Sequence, residues 1–191
     1  MRLKHIKGAE DIVINSAYVI HNPNEYKGHF KDLFNNSNPI HIEIGMGKGN
    51  FIIENAIKYP NINFIGIEKY DSVMVKAIRR LEELELPNLR LIRMDAGLIE
   101  EVFDKEIDTI YLNFSDPWPK ERHAKRRLTS PIFLSKYKNI FKDTNKIIMK
   151  TDNRKLFEYS LMMFNEFNFK IDDLSLNLYE DDIKDNIPTE Y

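Results

Sequence analysis

Asp116 stands in the stretch Asn113-Phe114-Ser115-Asp116-Pro117-Trp118-Pro119-Lys120, directly behind the apolar run Thr109-Ile110-Tyr111-Leu112. That run is β-branched and aromatic, so it reads as a short buried strand and puts a carboxylate where the strand stops. Pro117 and Pro119 remove backbone donors and hold the exit extended, which stiffens the tip. Immediately after comes Lys120-Glu121-Arg122-His123-Ala124-Lys125-Arg126-Arg127, the densest positive charge in the chain. A rigid acid beside a basic strip suits chemistry on a polyanion. Taken alone, the same pattern also describes a solvated charged turn.

Three more acids occupy equivalent places. Glu43, Glu68, Asp95 and Asp116 each lie at an expected strand end, and four successive strand ends carrying acids are hard to credit to chance. Gly45, Gly47 and Gly49 follow Glu43 and let backbone approach a ligand, and the helix start behind them offers free N–H groups. Glu68 lies about 20 residues beyond those glycines, where an acid commonly holds ribose hydroxyls. Asp95 is placed to take an adenine amino group. Singly, each acid is as well explained as a helix cap or a loop charge. The spacing is G-x-G-x-G with Asn50 where the dinucleotide fingerprint needs glycine, and Gly49-Asn50 is not the Gly-Lys-Ser/Thr of a P-loop. A carboxylate ahead of the turn repels a pyrophosphate but suits a cation. S-adenosylmethionine, with its sulfonium and ammonium groups, is such a ligand.

The elements that must position these residues alternate. Strands are expected at Ile40 to Ile44, Asn63 to Glu68, Leu89 to Asp95, the run before Asn113, and Lys146 to Thr151. Between them, Phe51, Ile52, Ala56 and Ile57 mark one inward helix face. Val73, Ala77, Ile78, Leu81 and Leu84, with Asp71 as N-cap, mark the next. A helix near Ile132 to Phe141 and another with Leu156, Tyr159, Met163 and Phe164 inward complete the series. Alternation of this kind predicts a parallel sheet covered on both faces, with ligands beyond the carboxyl ends of its strands. The last stretch, Phe167 to Tyr179, alternates like an antiparallel pair. Residues 1 to about 36 have no clean period: Ile12-Val13-Ile14 and Tyr18-Val19-Ile20 read as short extended pieces, Asn22-Pro23-Asn24 as a turn, and Phe30, Leu33 and Phe34 have helical spacing. This segment reads as an N-terminal embellishment on a catalytic core of residues 37–191, the whole chain forming one domain.

Composition limits the partners. With 28 Lys and Arg against 30 Asp and Glu the formal net charge is −2, so a nucleic-acid site must be a local patch. The absence of cysteine removes disulfides, thiolate zinc sites and cysteine nucleophiles. No apolar run approaches membrane-spanning length and the first residues lack the core of a signal peptide, so a cytoplasmic protein without metal or membrane is expected.

Glu43-Ile-Gly45-Met-Gly47-Lys-Gly49 resembles the first motif of class I S-adenosylmethionine-dependent methyltransferases. Phe114-Ser115-Asp116-Pro117-Trp118-Pro119-Lys120, with Arg122-His123 and Lys125-Arg126-Arg127, more specifically resembles the bacterial tRNA (guanine-N7-)-methyltransferases. Ile65-Gly66-Ile67-Glu68, Thr151-Asp152 and Thr189-Glu190-Tyr191 are similar to that family too, and the likeness covers the chain from residue 40 onward. In the family the last motif is Thr-Glu-Tyr-Glu followed by a further segment, whereas this sequence stops at Tyr191.

The resemblance implies a Rossmann-like α/β fold with a mostly parallel seven-stranded sheet, helices on both faces and an antiparallel C-terminal strand. It implies methyl transfer from S-adenosylmethionine to N7 of a guanosine in the tRNA variable loop, by a monomer or homodimer. Glu43, Gly45, Gly47, Gly49, Glu68, Asp95 with the adjoining Ala96, and Asp116 become cofactor contacts, Asp116 being also catalytic. Lys120, Asp152, Thr189, Glu190 and Tyr191 become substrate contacts. Arg122, His123, Lys125, Arg126 and Arg127 become an RNA-binding strip. The chemistry agrees, since guanine N7 has a free lone pair and needs no general base, so neither His41 nor His123 is required as one. A fixed carboxylate favours the positive charge that grows on the ring. Trp118 reads more readily as a core anchor than as a stacking platform. Two other readings stand beside this one. An exocyclic-amine methyltransferase would carry Asp/Asn-Pro-Pro-aromatic, against Asp116-Pro117-Trp118-Pro119 here. A non-catalytic RNA-binding module would have no use for intact glycines and all four acids.

Overall fold

Five strands form one parallel sheet in the order β3-β2-β1-β4-β5. They are β1 (Ile40–Ile44), β2 (Asn63–Glu68), β3 (Leu89–Arg93), β4 (Ile107–Asn113) and β5 (Phe141–Lys150). The computed structural model describes residues 6–178, 180–181 and 186–189. Around the sheet lie α1 (Ala9–Asn15), α2 (Lys31–Phe34), α3 (Asn50–Lys58), α4 (Asp71–Leu81), α5 (Ile99–Val102), α6 (Pro131–Ile140) and α7 (Arg154–Glu166).

The central strands read as near-continuous apolar runs because both faces are covered; every residue of β2 is buried. The pleat sorts β1 onto two sides. Ile40, Ile42 and Ile44 join a cluster with Phe103, Leu134 and Tyr137. His41 faces the other way, against Phe64 and Tyr111, and Glu43 shares that side. There Phe51, Ile52 and Ile53 of α3 and Met74, Ala77 and Ile78 of α4 build the second cluster. The order of strands reverses beside β1, where β2 leaves on one side and β4 on the other. In parallel sheets that reversal opens the ligand crevice.

Three expectations need correction. Among the described residues the sheet has five parallel strands rather than seven. No strand occurs among the described residues of the Phe167–Tyr179 stretch, so the antiparallel strand is absent there as well. Its apolar spacing serves to end α7. Asn168 takes a left-handed conformation (φ 58°), its N–H returns to the Asn165 carbonyl at 3.0 Å, and the Phe169 N–H returns to the Phe164 carbonyl at 2.8 Å. The rings of Phe164 and Phe169 close the motif with an edge contact, the usual hydrophobic companion of a left-handed helix stop. Beyond it Ile171, Leu174 and Leu176 are exposed. In the N-terminal segment, Ile12-Val13-Ile14 lies in α1, not in an extended piece. Burial at Ala9 and Val13, with exposure at Ile14, follows a helical spacing that packs on α4 and outweighs β-branched propensity.

Smaller differences follow from the same packing. Ile57 is exposed. Asp71 opens α4 from inside its first turn, where both carboxylate oxygens accept from Arg93 at the end of β3 (3.0 and 2.9 Å). The Tyr18–Ile20 piece does run beside the sheet, through backbone bonds from Leu91 to Tyr18 and from Ile20 to Leu91. Phe30 is fully buried against Phe103, so the N-terminal segment contributes to the main core.

Candidate active site

Because all five strands are parallel, their carboxyl ends share one edge, and the loops there carry the polar residues. The turn after β1 is set by Gly45, Gly47 and Gly49, all with positive φ (76°, 59° and 79°). A Cβ at Gly45 or Gly47 would meet nothing within 4 Å, so those two positions border open space. At Gly49 a Cβ would stand 2.8 Å from Ala77 Cβ, so this glycine lets α3 pack tightly on α4. The Ile67 carbonyl accepts from the N–H groups of Gly45 and Met46, tying the turn to β2.

Glu68, buried at the end of β2, holds the same turn from the other side. Its Oε2 accepts from Gly47 N–H (3.2 Å), and its Oε1 from Lys69 N–H (2.8 Å) and Tyr70 N–H (3.0 Å). Burial raises its pKa, while these backbone donors oppose the rise.

Glu43 is the most perturbed acid at this edge. Its Oε1 accepts from Asn113 Nδ2 at 2.8 Å, but Oε2 and the Asn113 Oδ1 are buried with no hydrogen-bond partner among the described residues. Burial pushes the Glu43 carboxyl up to about 8 from 4.5, despite Asn113 and nearby Lys150. Lys150, paired in register with Asn113, is itself lowered by burial. Its Nζ donates to Asn186 Oδ1 (2.6 Å) and the Ile187 carbonyl (2.8 Å) and lies over the Phe51 ring.

The raised Glu43 value carries a prediction. The folded chain keeps a proton that the unfolded chain loses above its ordinary carboxyl range, so this residue withdraws stability as pH rises from about 4.5 through about 8. Glu43→Gln, a neutral isostere, should flatten that decline. Urea midpoints measured at pH 5 and pH 8.5 check it, and parallel pH profiles for parent and variant would contradict the buried-acid assignment.

The other expected cofactor acids are less enclosed. Asp95 lies two residues past β3, its side chain exposed, with Oδ1 accepting from Gly97 N–H (2.8 Å) and Oδ2 3.6 Å from Lys69 Nζ. It caps the short 3-10 helix that Ala96 opens. Asp116 stands three residues beyond β4 and is exposed. Its loop leaves the sheet through two non-glycine residues in positive φ, Phe114 (47°) and Trp118 (42°). Trp118 belongs to neither hydrophobic cluster, so it is not a core anchor; it is partly exposed, with Arg126 over its ring (4.9 Å) and His123 at its edge.

The basic strip forms a 3-10 helix, Glu121–Arg126, with Lys120 as its N-cap residue. Lys120, Arg122, Lys125 and Arg126 are exposed and His123 partly so. Arg127 differs: its guanidinium turns back under the Asp116 loop and donates to the Pro117 and Trp118 carbonyls. Asp152 is exposed in the turn after β5, which is fixed by Asn153 N–H to Thr151 Oγ1 and by Asn153 Oδ1 capping α7 at Leu156 N–H. Thr189 lies beside α3, lining a groove of about 440 Å³ with Asn50, Glu54, Arg80 and residues 186–188. The expected contacts Glu190 and Tyr191 lie outside the described residues.

The sequence reading missed Asn113 and Lys150 as site residues. The signal was available in part, since each is a polar residue closing a short apolar stretch, Ile110 to Leu112 and Ile147 to Met149, shortly before Asp116 and Asp152. It also gave no hint that Arg127 turns inward. An open glycine turn, a buried carboxylate oxygen unpartnered among the described residues and three further acids, Glu68, Asp95 and Asp116, suit a cationic nucleoside. Among the described residues no group of three or more His, Cys, Asp or Glu could hold a metal ion, and no helix is long and apolar enough to cross a membrane.

Comparison with known proteins agrees with this geometry. Residues 37–191 match the family described as "Putative methyltransferase". A tRNA (guanine-N(7)-)-methyltransferase of Listeria innocua is 52% identical over 193 residues, covering 100% of this chain and 90% of that protein. One from Bacillus licheniformis is 47% identical, covering 100% and 91%. Among solved structures, an antibiotic-related methyltransferase superposes with a TM-score of 0.55 at 19% identity, covering 76% of this chain and 75% of that one. The aminoglycoside resistance methyltransferase NpmB1 gives 0.55 at 16%, covering 74% and 68%. At those identities the two structures bear on the fold alone.

Proposed function

Because the chain belongs to the tRNA (guanine-N7-)-methyltransferase family, we infer that it transfers a methyl group from S-adenosylmethionine to N7 of a guanosine in the tRNA variable loop. The observation that carries this reading is the buried Glu43 carboxylate, one oxygen of which has no hydrogen-bond partner among the described residues, set against an open glycine turn at the sheet edge that also carries the Asp116 loop. A cation is the ligand that such a carboxylate favours.

When bound, S-adenosylmethionine supplies an electrophilic methyl group on sulfur. The chain's own residues hold and orient. Glu43, Gly45, Gly47 and Gly49 are assigned to the methionine end, Glu68 to the ribose hydroxyls, and Asp95 with Ala96 to the adenine. Glu43 ionises as it meets positive charge, so cofactor binding should release a proton near neutral pH. Asp116 faces the guanine as the ring becomes cationic and favours that charge. Lys120, Asp152 and Thr189, with Glu190 and Tyr191, are assigned to the guanine, directing N7 at the methyl group. No side chain needs to remove a proton from N7. With tRNA as the substrate, the reaction belongs in the cytoplasm.

The decisive test is incubation with labelled cofactor and unmodified tRNA, followed by chain cleavage at N7-methylguanosine. Label at another base or atom, or no transfer, would overturn the reading. The strip carries a second prediction. Arg122, Lys125 and Arg126 are exposed, and each phosphate they neutralise adds about −0.7 to −0.9 to the log–log dependence of affinity on salt. Replacing all three with alanine should flatten that slope by about 2 and leave cofactor binding intact. A filter-binding series in KCl checks this, and an unchanged slope would make the strip a solvated face.

A further inference from the structure

We propose that Arg127 is a positioning residue for methyl transfer, holding the Asp116 loop in shape from beneath rather than contacting tRNA phosphates. The proposal rests on the proposed function for what the loop does, but the geometry stands apart from it. Arg127 Nε lies 3.1 Å from the Pro117 carbonyl and 3.3 Å from the Trp118 carbonyl, and Nη2 lies 3.1 Å from the Trp118 carbonyl. The guanidinium carbon sits 4.3 Å from the centre of the Tyr159 ring on α7. One planar group therefore ties two successive carbonyls of the loop to a helix packed on the sheet.

The loop needs such a tie. Phe114 and Trp118 bracket Asp116 in left-handed conformations that non-glycine residues adopt at a cost, and such conformations persist only when their surroundings impose them. Pro119 follows Trp118 and lacks an N–H, so the chain there loses a donor with which to fix itself. The base of the clamp is itself anchored. Ser130 N–H donates to the Arg127 carbonyl (2.9 Å), and buried Thr129 and Ser160 share a hydroxyl hydrogen bond at 2.7 Å that joins the strip's end to α7. Lysine cannot substitute, because a point charge neither forks to two carbonyls nor stacks on a tyrosine in the same way.

Trp118 is the only tryptophan, so its emission reports on the clamped loop without any reference to catalysis. In Arg127→Ala and the milder Arg127→Lys, acrylamide quenching of that emission should rise about twofold. The single-turnover rate of methyl transfer at saturating cofactor and tRNA should fall at least tenfold in both. Affinity for unmodified tRNA and its KCl slope should stay at parental values, whereas Lys125→Ala should flatten the slope and leave quenching alone. Parental quenching in both Arg127 variants overturns the proposal, as does a defect that lysine repairs and that resides in tRNA affinity and its slope. If the parent itself transfers no methyl group, the proposed function fails, while the quenching comparison still decides whether Arg127 holds the loop.

Discussion

Asp116→Asn should transfer methyl groups 10²- to 10³-fold more slowly than the parent while remaining folded and tRNA-binding. The carboxylate sits three residues past β4 on a loop fixed at both ends, by Phe114 N–H to the Lys150 carbonyl (2.8 Å) and by Arg127 at Pro117 and Trp118. A preorganised charge facing a centre that becomes cationic acts mostly in the transition state, and loss of one such partner costs about 3–4 kcal/mol. Asparagine keeps the shape and removes the charge, so the effect should appear in the rate constant rather than in folding. Phosphate contacts dominate tRNA affinity, so that should persist. Single-turnover measurement at saturating cofactor and tRNA isolates the step from any weakening of cofactor binding. A variant within about threefold of the parental rate would falsify the role given to this charge.

The sheet was legible because its central strands are buried on both faces and therefore spell apolar runs such as Phe64-Ile65-Gly66-Ile67. The acids were legible for a related reason: a carboxylate at or just beyond the carboxyl end of a parallel strand is carried to the sheet's edge. Their individual duties were not. Glu43 and Asp95 look alike in sequence, yet one is buried beside Asn113 with an oxygen unpartnered and the other is an exposed cap on Gly97. That difference is set by β4 and by the loop after β3, which no local spacing encodes. β5 extends farther back than the expected Lys146 to Thr151 because its first half, Lys142 to Lys146, is exposed edge strand with no apolar alternation to announce it. The Phe167 stretch failed in the opposite way, since alternating apolar residues can close a helix as readily as build a strand. Arg127 sat in a run of six basic residues within eight, Lys120 to Arg127, and composition cannot say which member folds inward. That is decided by a tyrosine one turn into a helix 32 residues later.

Glu68→Ala should weaken cofactor affinity at least tenfold. To the proposed hold on the ribose the structure adds a second task. The carboxylate accepts from the N–H groups of Gly47, Lys69 and Tyr70, so it shapes the glycine turn. A hydrogen bond to a charged group contributes about 1.5–3 kcal/mol, and an N–H left unpaired beneath the turn adds its own penalty. Alanine should thus also lower the melting temperature, and calorimetry must be run where the variant is folded. The two tasks separate with a ligand pair. If Glu68 meets the ribose, the parent should bind the S-adenosyl compound more tightly than its 2′-deoxy analogue, and Glu68→Ala should hardly distinguish them. That non-additivity is the signature of direct contact. Should both proteins discriminate between the two ligands by the same factor, Glu68 only shapes the turn and the ribose is held by another group.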